Sequence, residues 1–126
     1  MFKIRYKSHH DVGNIISKFT ENLKASKNDF LDLLNTENKN KQLGIYFHTP
    51  YCDKICSFCN MNRKQLDNDL EEYTKYLCEE IKKYGAYKFC KTSEIDVVFF
   101  GGGTPTIFKK EQLERILKTL NENFKF

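Results

Sequence analysis

Two stretches of the chain have the hydrophobic pattern of β-strands. Over residues 43–48 every second position is Leu, Ile or Phe, and this period of two predicts a strand with one apolar face. The other face carries Gly44, Tyr46 and His48. Residues 95–100 are apolar except for Asp96, which predicts a strand covered on both faces in a parallel sheet.

Two longer stretches have apolar residues three or four positions apart, which is the spacing of amphipathic helices. The apolar positions are Leu70, Tyr73, Leu77, Ile81 and Tyr84 in the first, and Leu113, Ile116, Leu117, Leu120 and Phe124 in the second. We expect the first helix to span 66–84, with a cap from one of residues 67–69 and an end at Gly85. The second helix is expected to start poorly capped, because Lys109 and Lys110 oppose the helix dipole.

The N-terminal part of the chain has only short apolar groupings, whose spacing predicts two short amphipathic helices. Asn28 or Asp29 is the expected cap of the second of these helices, and residues 35–41 have the composition of a linker. We therefore divide the chain into a helical extension with its linker, 1–41, and an α/β core, 42–126. A crossover helix joins two parallel strands in this core.

Three cysteines follow the first predicted strand within eight residues. Cys52, Cys56 and Cys59 have the spacing C-x3-C-x2-C, and thiolates this close on one loop can converge on an iron–sulfur cluster. Three ligands would leave the fourth iron of a four-iron cluster open to a substrate or cofactor. Zinc is the alternative, but it prefers four ligands in paired motifs. Cys78 and Cys90 lie far along the chain, and we expect each to be an inert packed thiol.

Three consecutive glycines, Gly101, Gly102 and Gly103, end the second predicted strand. Without Cβ atoms, this backbone can adopt positive φ and approach a ligand closely. A tight turn between strand and helix is the simpler explanation. A phosphate-binding loop is not indicated, because neither the lysine of G-x4-G-K-[ST] nor the spacing of G-x-G-x2-G is present.

The cysteine loop is preceded by Tyr46, His48, Pro50 and Tyr51 in a Tyr-x-His-x-Pro-aromatic pattern. Together with the Val-Val-Phe-Phe-Gly-Gly-Gly-Thr-Pro-Thr run that begins at Val97, it resembles the radical S-adenosylmethionine enzymes. More narrowly, it is similar to the oxygen-independent coproporphyrinogen III oxidase group with its heme-chaperone and heme-degrading relatives. The resemblance implies a partial (β/α)6 TIM-like barrel, of which this chain would hold the two N-terminal βα units.

The resemblance also implies a 4Fe-4S cluster on the three clustered cysteines and S-adenosylmethionine beside it. The implied cofactor-binding residues are Tyr46, Phe58, Gly102, Gly103 and Thr104, and the implied metal ligands are Cys52, Cys56 and Cys59. Phe58 would contribute through the backbone of its loop, with its ring as a cover for the cluster or a surface for adenine. The alternative for the strand residues is that Tyr46 packs and His48 hydrogen-bonds locally. No residue is assigned a catalytic role.

For the whole protein, the resemblance implies a radical oxidoreductase acting on a tetrapyrrole, coproporphyrinogen III or heme, with an electron donor such as flavodoxin or ferredoxin. A heme chaperone without turnover and an anaerobic heme-degrading methyltransferase are the alternatives. Met61 departs from the group, because the oxidases have a further cysteine there and the chaperones an aromatic residue. Arg63 would either meet a tetrapyrrole propionate or be an ordinary surface arginine.

The charge pattern gives no indication of a nucleic-acid partner. The 126 residues include 21 basic and 17 acidic side chains, a net charge of +4, and the lysines are interspersed with acidic residues instead of forming a stripe. Likewise, His9, His10 and Asp11 are better explained as a solvated helix start than as ligands.

No apolar run approaches the roughly 18 residues of a membrane helix, and residues 1–10 lack the apolar centre of a signal peptide. We therefore expect no membrane span and a cytoplasmic location, where clustered cysteines favour metal binding over disulfides. Two strands do not make a stable sheet, and a complete barrel of this type needs roughly 250 residues. We expect the chain alone to be insoluble or inactive unless a partner supplies further strands.

Overall fold

A computed structural model of the chain describes residues 26–126. Its elements, in chain order, are α1 (Lys27–Leu34), β1 (Gln42–Thr49), β2 (Tyr51–Cys52), β3 (Lys64–Gln65), α2 (Leu70–Gly85), α3 (Lys88–Lys91), β4 (Glu94–Gly102), a 3-10 turn (Pro105–Ile107) and α4 (Lys110–Asn123). The α/β unit lies within residues 33–126. The first predicted helix of the extension, with His9, His10 and Asp11, lies outside the described residues.

Helix α1 begins with a reciprocal cap. The Asp29 N–H donates to Ser26 Oγ at 3.2 Å, and the Ser26 N–H donates to Asp29 Oδ2 at 2.6 Å. These hydrogen bonds hold the pKa of Asp29 below its ordinary value. The prediction that Asn28 or Asp29 is the N-cap is wrong, because Ser26 occupies that position. Asp29 is the partner three residues inside the helix, as in a capping box.

Strands β1 and β4 pair in parallel, and α2 lies between them in the chain, as predicted. Gln42 pairs with Glu94 at one end and Thr49 with Gly102 at the other. The register shifts by one residue after Leu43, so Asp96 is the additional residue of a β-bulge. The single polar residue of the predicted strand is therefore the one that is left out of the regular pairing.

Helices α2 and α4 pack on one face of this sheet and form the core with it. Ile116 and Leu120 are 0% and 1% exposed, which confirms the stripe of α4 at its centre. Leu117 was expected in the same stripe, but it is 46% exposed. Thr119 is buried in its place, because residue 119 lies three positions after Ile116 and therefore on the core side of the helix.

The opposite face of the sheet is open in the described part of the chain. Val97 and Phe99 are 57% and 60% exposed, and Tyr46 beside them is 53% exposed. The expectation that the second strand is covered on both faces is therefore wrong for these residues, because both core helices pack on the same side.

Both core helices start differently from the prediction. Helix α2 begins at Leu70 instead of 66, because the Leu66 N–H donates to Cys52 O at 2.8 Å and keeps the preceding residues in the β3 pairing. Asp69 is at the cap position but makes no capping hydrogen bond. Helix α4 is better capped than expected, because Gln112 Oε1 accepts from the Lys109 N–H at 3.0 Å. The expected end of α2 at Gly85 is confirmed.

The linker before β1 is fixed at the end of the sheet opposite the cysteine loop. Asn38 is 7% exposed, and its Nδ2 donates to Gln42 O at 2.9 Å and to Ser93 Oγ at 2.8 Å. Its backbone N–H donates to Thr92 Oγ1 at 3.0 Å. One buried amide therefore joins the segment before β1 to the segment before β4.

After α4 the chain returns to the sheet beside β4. Ile95 donates its N–H to Lys125 O at 2.8 Å, and Lys125 makes a parallel bridge to Glu94. The helix α4 therefore connects parallel segments, as α2 does. An α/β arrangement with parallel strands is confirmed, and its closure into a barrel stays a prediction.

Candidate functional site

The cysteine loop is closed at its base by short backbone pairing. Tyr51 pairs with Lys64 and Cys52 with Gln65. The Lys64 N–H donates to the carbonyl oxygen of Pro50 at 2.7 Å, and Pro50 is the residue that follows the end of β1. Residues 53–63 therefore form a loop whose two ends are held together at the carboxyl end of β1.

The three cysteines of the motif differ in their exposure. Cys52 is buried, Cys59 is half-buried and Cys56 is exposed, and all three are free thiols. A turn links two of them, because the Cys59 N–H donates to Cys56 O at 3.2 Å. Within residues 26–126, no three His, Cys, Asp or Glu side chains are grouped in a way that could hold a metal ion. Convergence of the three thiols on one cluster therefore stays a prediction.

The two remaining cysteines lie in the core. Cys78 on α2 and Cys90 on α3 are both buried, and burial raises the pKa of the Cys90 thiol. A buried thiol that is held in its protonated form is a poor nucleophile and a poor metal ligand. The burial of Cys78 and Cys90 confirms that both are packed thiols.

The glycine segment lies directly against the start of the cysteine loop. The Gly103 N–H donates to Thr49 O at 2.6 Å, and the Thr104 N–H donates to Tyr51 O at 2.8 Å. A Cβ atom on Gly103 would be 2.5 Å from Tyr51 O and 2.7 Å from Cys52 Sγ. The two sequence motifs, about fifty residues apart, therefore meet at one place.

Position 102 also requires glycine, because of both its backbone conformation and its surroundings. Its φ is 104°, and a Cβ there would be 2.6 Å from Thr49 O. The sequence indicated close approach to a ligand, whereas the first close approach in the structure is to the chain's own backbone. The turn alternative is therefore part of the explanation.

The hydrogen bonds of this segment suit a ligand that donates. Because the N–H groups of Gly103 and Thr104 are already used by carbonyl oxygens of β1 and β2, a ligand at this segment would meet chiefly acceptor groups. An ammonium or amino group provides the donors that backbone carbonyls require. The donor set of the cysteine loop, three thiols with at least one exposed, is the set that iron–sulfur clusters use. The residues present therefore fit the implied cluster and cofactor in their chemistry.

Tyr46 and His48 lie on the open face of the sheet and contact each other. Tyr46 Oη and His48 Nδ1 are 3.1 Å apart, and His48 Nε2 is 2.8 Å from Asn62 O. The Tyr46 ring stacks on Phe99 with the ring centroids 5.8 Å apart. The local hydrogen bonding of His48, one of the two alternatives from the sequence, is confirmed. The cofactor contact of Tyr46 stays a prediction.

A group of side chains beneath the loop was not predicted as part of the site. Tyr51 is 4% exposed and meets Tyr73 edge-on, with the ring centroids 5.4 Å apart. The Tyr73 hydroxyl donates to His48 O, and burial raises the pKa of both phenols. The aromatic residue that follows Pro50 was the one sequence signal for this support.

Lys64 completes the support from the other side of the loop. Its Nζ is 5.4 Å from the centre of the Tyr51 ring, 2.7 Å from Asp67 Oδ2 and 2.9 Å from Asp69 Oδ2. Hydrogen bonds to the two carboxylates, that of Asp67 first, raise the pKa of Lys64. The same contact lowers the pKa of Asp67. The segment that enters α2 is therefore attached to the base of the cysteine loop.

Exposed apolar side chains occur along the loop itself. Phe58, between the second and third cysteines, is 88% exposed, and Ile55 and Met61 are about half as exposed. The Met61 carbonyl accepts a hydrogen bond from Arg63 Nη1 at 3.1 Å. Arg63 is therefore bound to its own loop, and a role for Phe58 beside a cofactor stays a prediction.

None of the helices in the described residues combines the length and apolar character needed to cross a membrane.

No family model matches this chain. The chain is 35% identical to the oxygen-independent coproporphyrinogen III oxidase of Escherichia coli K12 over 88 residues, which are 68% of this chain and 19% of the oxidase. It is 32% identical over 83 residues to the heme chaperone HemW of Bacillus subtilis, covering 64% of this chain and 21% of the chaperone. The chain thus spans about a fifth of the length of these relatives.

The fold agrees with that of a solved relative. The structure of the coproporphyrinogen III oxidase HemN from Escherichia coli, described as a radical S-adenosylmethionine enzyme, matches with a TM-score of 0.72 at 30% identity. The match covers 81% of this chain and 23% of the solved one.

Proposed function

This chain is a homologue of HemN-like radical S-adenosylmethionine proteins, and from this relationship we propose that Cys52, Cys56 and Cys59 hold a 4Fe-4S cluster beside bound S-adenosylmethionine. The observation that carries the proposal is the meeting of two motifs. Gly103 packs against Cys52 Sγ, and its neighbour Thr104 is hydrogen-bonded to the residue before that cysteine. A ligand bound at Cys52 would therefore lie next to the glycine segment.

The residues of the chain have separate roles in this proposal. Gly102, Gly103 and Thr104 offer backbone acceptors for the cofactor's amino group, since two of their N–H groups are already used. Tyr46 borders the open face of the sheet on the side away from the helices. Phe58, which is 88% exposed, supplies an apolar surface that a bound cofactor would cover. When bound, the cluster and cofactor supply one-electron radical chemistry, and the protein positions them and excludes water.

The substrate that we propose is a tetrapyrrole, and the reaction is an oxidation of the coproporphyrinogen III type, with flavodoxin or ferredoxin as the class of electron donor. The support is the identity to an oxidase of that substrate and the match to its solved fold. We propose a cytoplasmic location on the same grounds.

Heme binding and transfer without turnover is the second candidate. It is favoured by the similarity to a heme chaperone over nearly the same length of chain. Met61 does not distinguish the two candidates, because the resemblance places a cysteine there in the oxidases and an aromatic residue in the chaperones.

The metal proposal is tested by anaerobic reconstitution of the full protein with iron and sulfide. We expect four irons per chain, and loss of the cluster on single replacement of Cys52, Cys56 or Cys59 by alanine. Cys78→Ala is the matched control and should keep the full iron content. Iron content that survives all three loop replacements would refute the ligand assignment.

The reaction is tested on the loaded protein with reductant, S-adenosylmethionine and either coproporphyrinogen III or heme. A decarboxylated coproporphyrinogen supports the oxidase. Heme that binds and passes unmodified to an acceptor protein supports the chaperone and overturns the oxidase. Opening of the heme ring would show the heme-degrading activity instead.

A further inference from the structure

His48 connects the sheet to the far end of the cysteine loop. It lies on β1, and its Nε2 is 2.8 Å from the carbonyl oxygen of Asn62, fourteen residues later and three residues after Cys59. A carbonyl oxygen can only accept a hydrogen bond, so Nε2 carries the proton. A neutral ring then has Nδ1 as an acceptor, and the Tyr46 hydroxyl, 3.1 Å away, donates to it.

The two ends of the loop are held by different contacts. Cys52 is at the near end, where β2 pairs with β3 and Gly103 packs on the sulfur. At the far end, beyond Cys59, the β2–β3 pairing begins at Lys64. His48, which lies on the paired strand β1, contacts the chain at Asn62, between the last cysteine and that pairing.

From these contacts we propose that His48 is a positioning residue that fixes Cys59 relative to Cys52. Tyr46 assists by holding the ring of His48 in the tautomer that donates to Asn62. Both ring nitrogens are engaged by the protein, so the ring acts through the loop and not as a ligand. The relevance of this contact to a cluster rests on the proposed function, whereas its effect on the loop does not.

The chain allows a matched pair of variants. His48→Gln retains an N–H donor at the same number of bonds from Cβ as Nε2, and His48→Asn places its amide where Nδ1 was and falls short of Asn62. Tyr46→Phe keeps the imidazole but removes the hydroxyl that selects its tautomer. The primary measurement is hydrogen–deuterium exchange of the full protein without metal, comparing peptides of residues 53–63 with peptides of the core helices.

We expect His48→Asn to speed exchange in the loop by about two- to ten-fold, which corresponds to the loss of one hydrogen bond. His48→Gln should stay near wild type, and Tyr46→Phe should fall between them. Exchange of α2 and α4 in the same samples shows whether a variant has lost its fold. If His48→Asn unfolds, the proposal is tested by comparing the loop exchange rates of Tyr46→Phe and wild type. Equal loop exchange in wild type and the variant that remains folded would overturn the proposal.

Reconstitution with iron and sulfide then separates the two claims. If wild type binds a cluster, His48→Asn should retain less iron than His48→Gln, and equal iron in both would refute the role in positioning Cys59. If wild type binds no cluster while loop exchange still follows the expected order, the proposed function is refuted, but the positioning of the loop by the His48–Asn62 hydrogen bond is supported.

Discussion

Replacement of Gly103 by alanine tests the contact between the two motifs most directly. The added Cβ would be 2.5 Å from Tyr51 O and 2.7 Å from Cys52 Sγ, while ordinary contact begins at 3.4 Å. The neighbours must therefore move by roughly 0.7 to 0.9 Å, by the difference of these distances. One of the two is backbone held by the Thr104 N–H, so it cannot simply rotate away.

The expected cost of Gly103→Ala is about 1–3 kcal/mol of the free energy of unfolding, which is typical of overpacking a tight site. It is measured by urea unfolding of the metal-free protein. We also expect lower iron uptake on reconstitution in the absence of S-adenosylmethionine, because the displaced groups include the Cys52 sulfur. A contact made only to the cofactor would leave metal uptake unchanged under these conditions.

Gly44→Ala is the matched control within the same sheet. Its Cβ would meet Val97 Cγ1 at 3.4 Å, which is ordinary contact, so we expect a change within about 0.5 kcal/mol and normal iron uptake. If Gly103→Ala and Gly44→Ala have the same free energy of unfolding and the same iron uptake, the close contact of Gly103 with Tyr51 and Cys52 is wrong.

Three further predictions concern the support of the site and the core. Asn38→Ala should lower the free energy of unfolding by about 1–3 kcal/mol, because the buried Ser93 Oγ and the part-buried Gln42 O lose the amide that donates to them. Urea unfolding measures this change. Ile116→Ala should cost about 2–5 kcal/mol in the same assay, whereas the exposed Leu117→Ala should cost much less. Lys64→Met should reduce the free energy of unfolding at neutral pH. This reduction should shrink as pH falls below 3.8, the ordinary pKa of Asp67, and be absent below the lowered pKa of the folded state, because a carboxyl with a lowered pKa stabilises the fold fully only above its ordinary value. An equal loss at neutral pH and below the lowered pKa would contradict the ion pair.

Short-range patterns in the sequence predicted the main elements well. The three- and four-residue spacing located α2 and α4, since helical periodicity depends only on neighbouring positions. The same reasoning failed at helix starts. Asp69 is used by Lys64 instead of capping its own helix, and Gln112 caps α4 through a hydrogen bond to the Lys109 backbone. Which polar partner a side chain selects depends on contacts that spacing does not contain.

The site shows the same division between local and long-range information. The cysteine spacing and the glycine run are visible along the chain, but the contact of Gly103 with Cys52 is set by strand pairing. The hydrogen bond from His48 to Asn62 could not be predicted from the sequence, which shows only that a histidine is present. The first contact forms through the pairing of β1 with β4, and the second forms only when the loop of residues 53–63 closes.

Strand register explains why the two motifs meet where they do. Before the bulge at Asp96, Leu43 pairs with Ile95, and after it Ile45 pairs with Val98. Without the additional residue, the end of β1 would lie opposite Gly101, and a one-residue slip also reverses which side chains face the core. Val98 and Phe100 then would not point toward the helices, and the glycine with positive φ would no longer face Thr49. One polar residue at the start of β4 thus determines the geometry at its far end, where the cysteine loop begins.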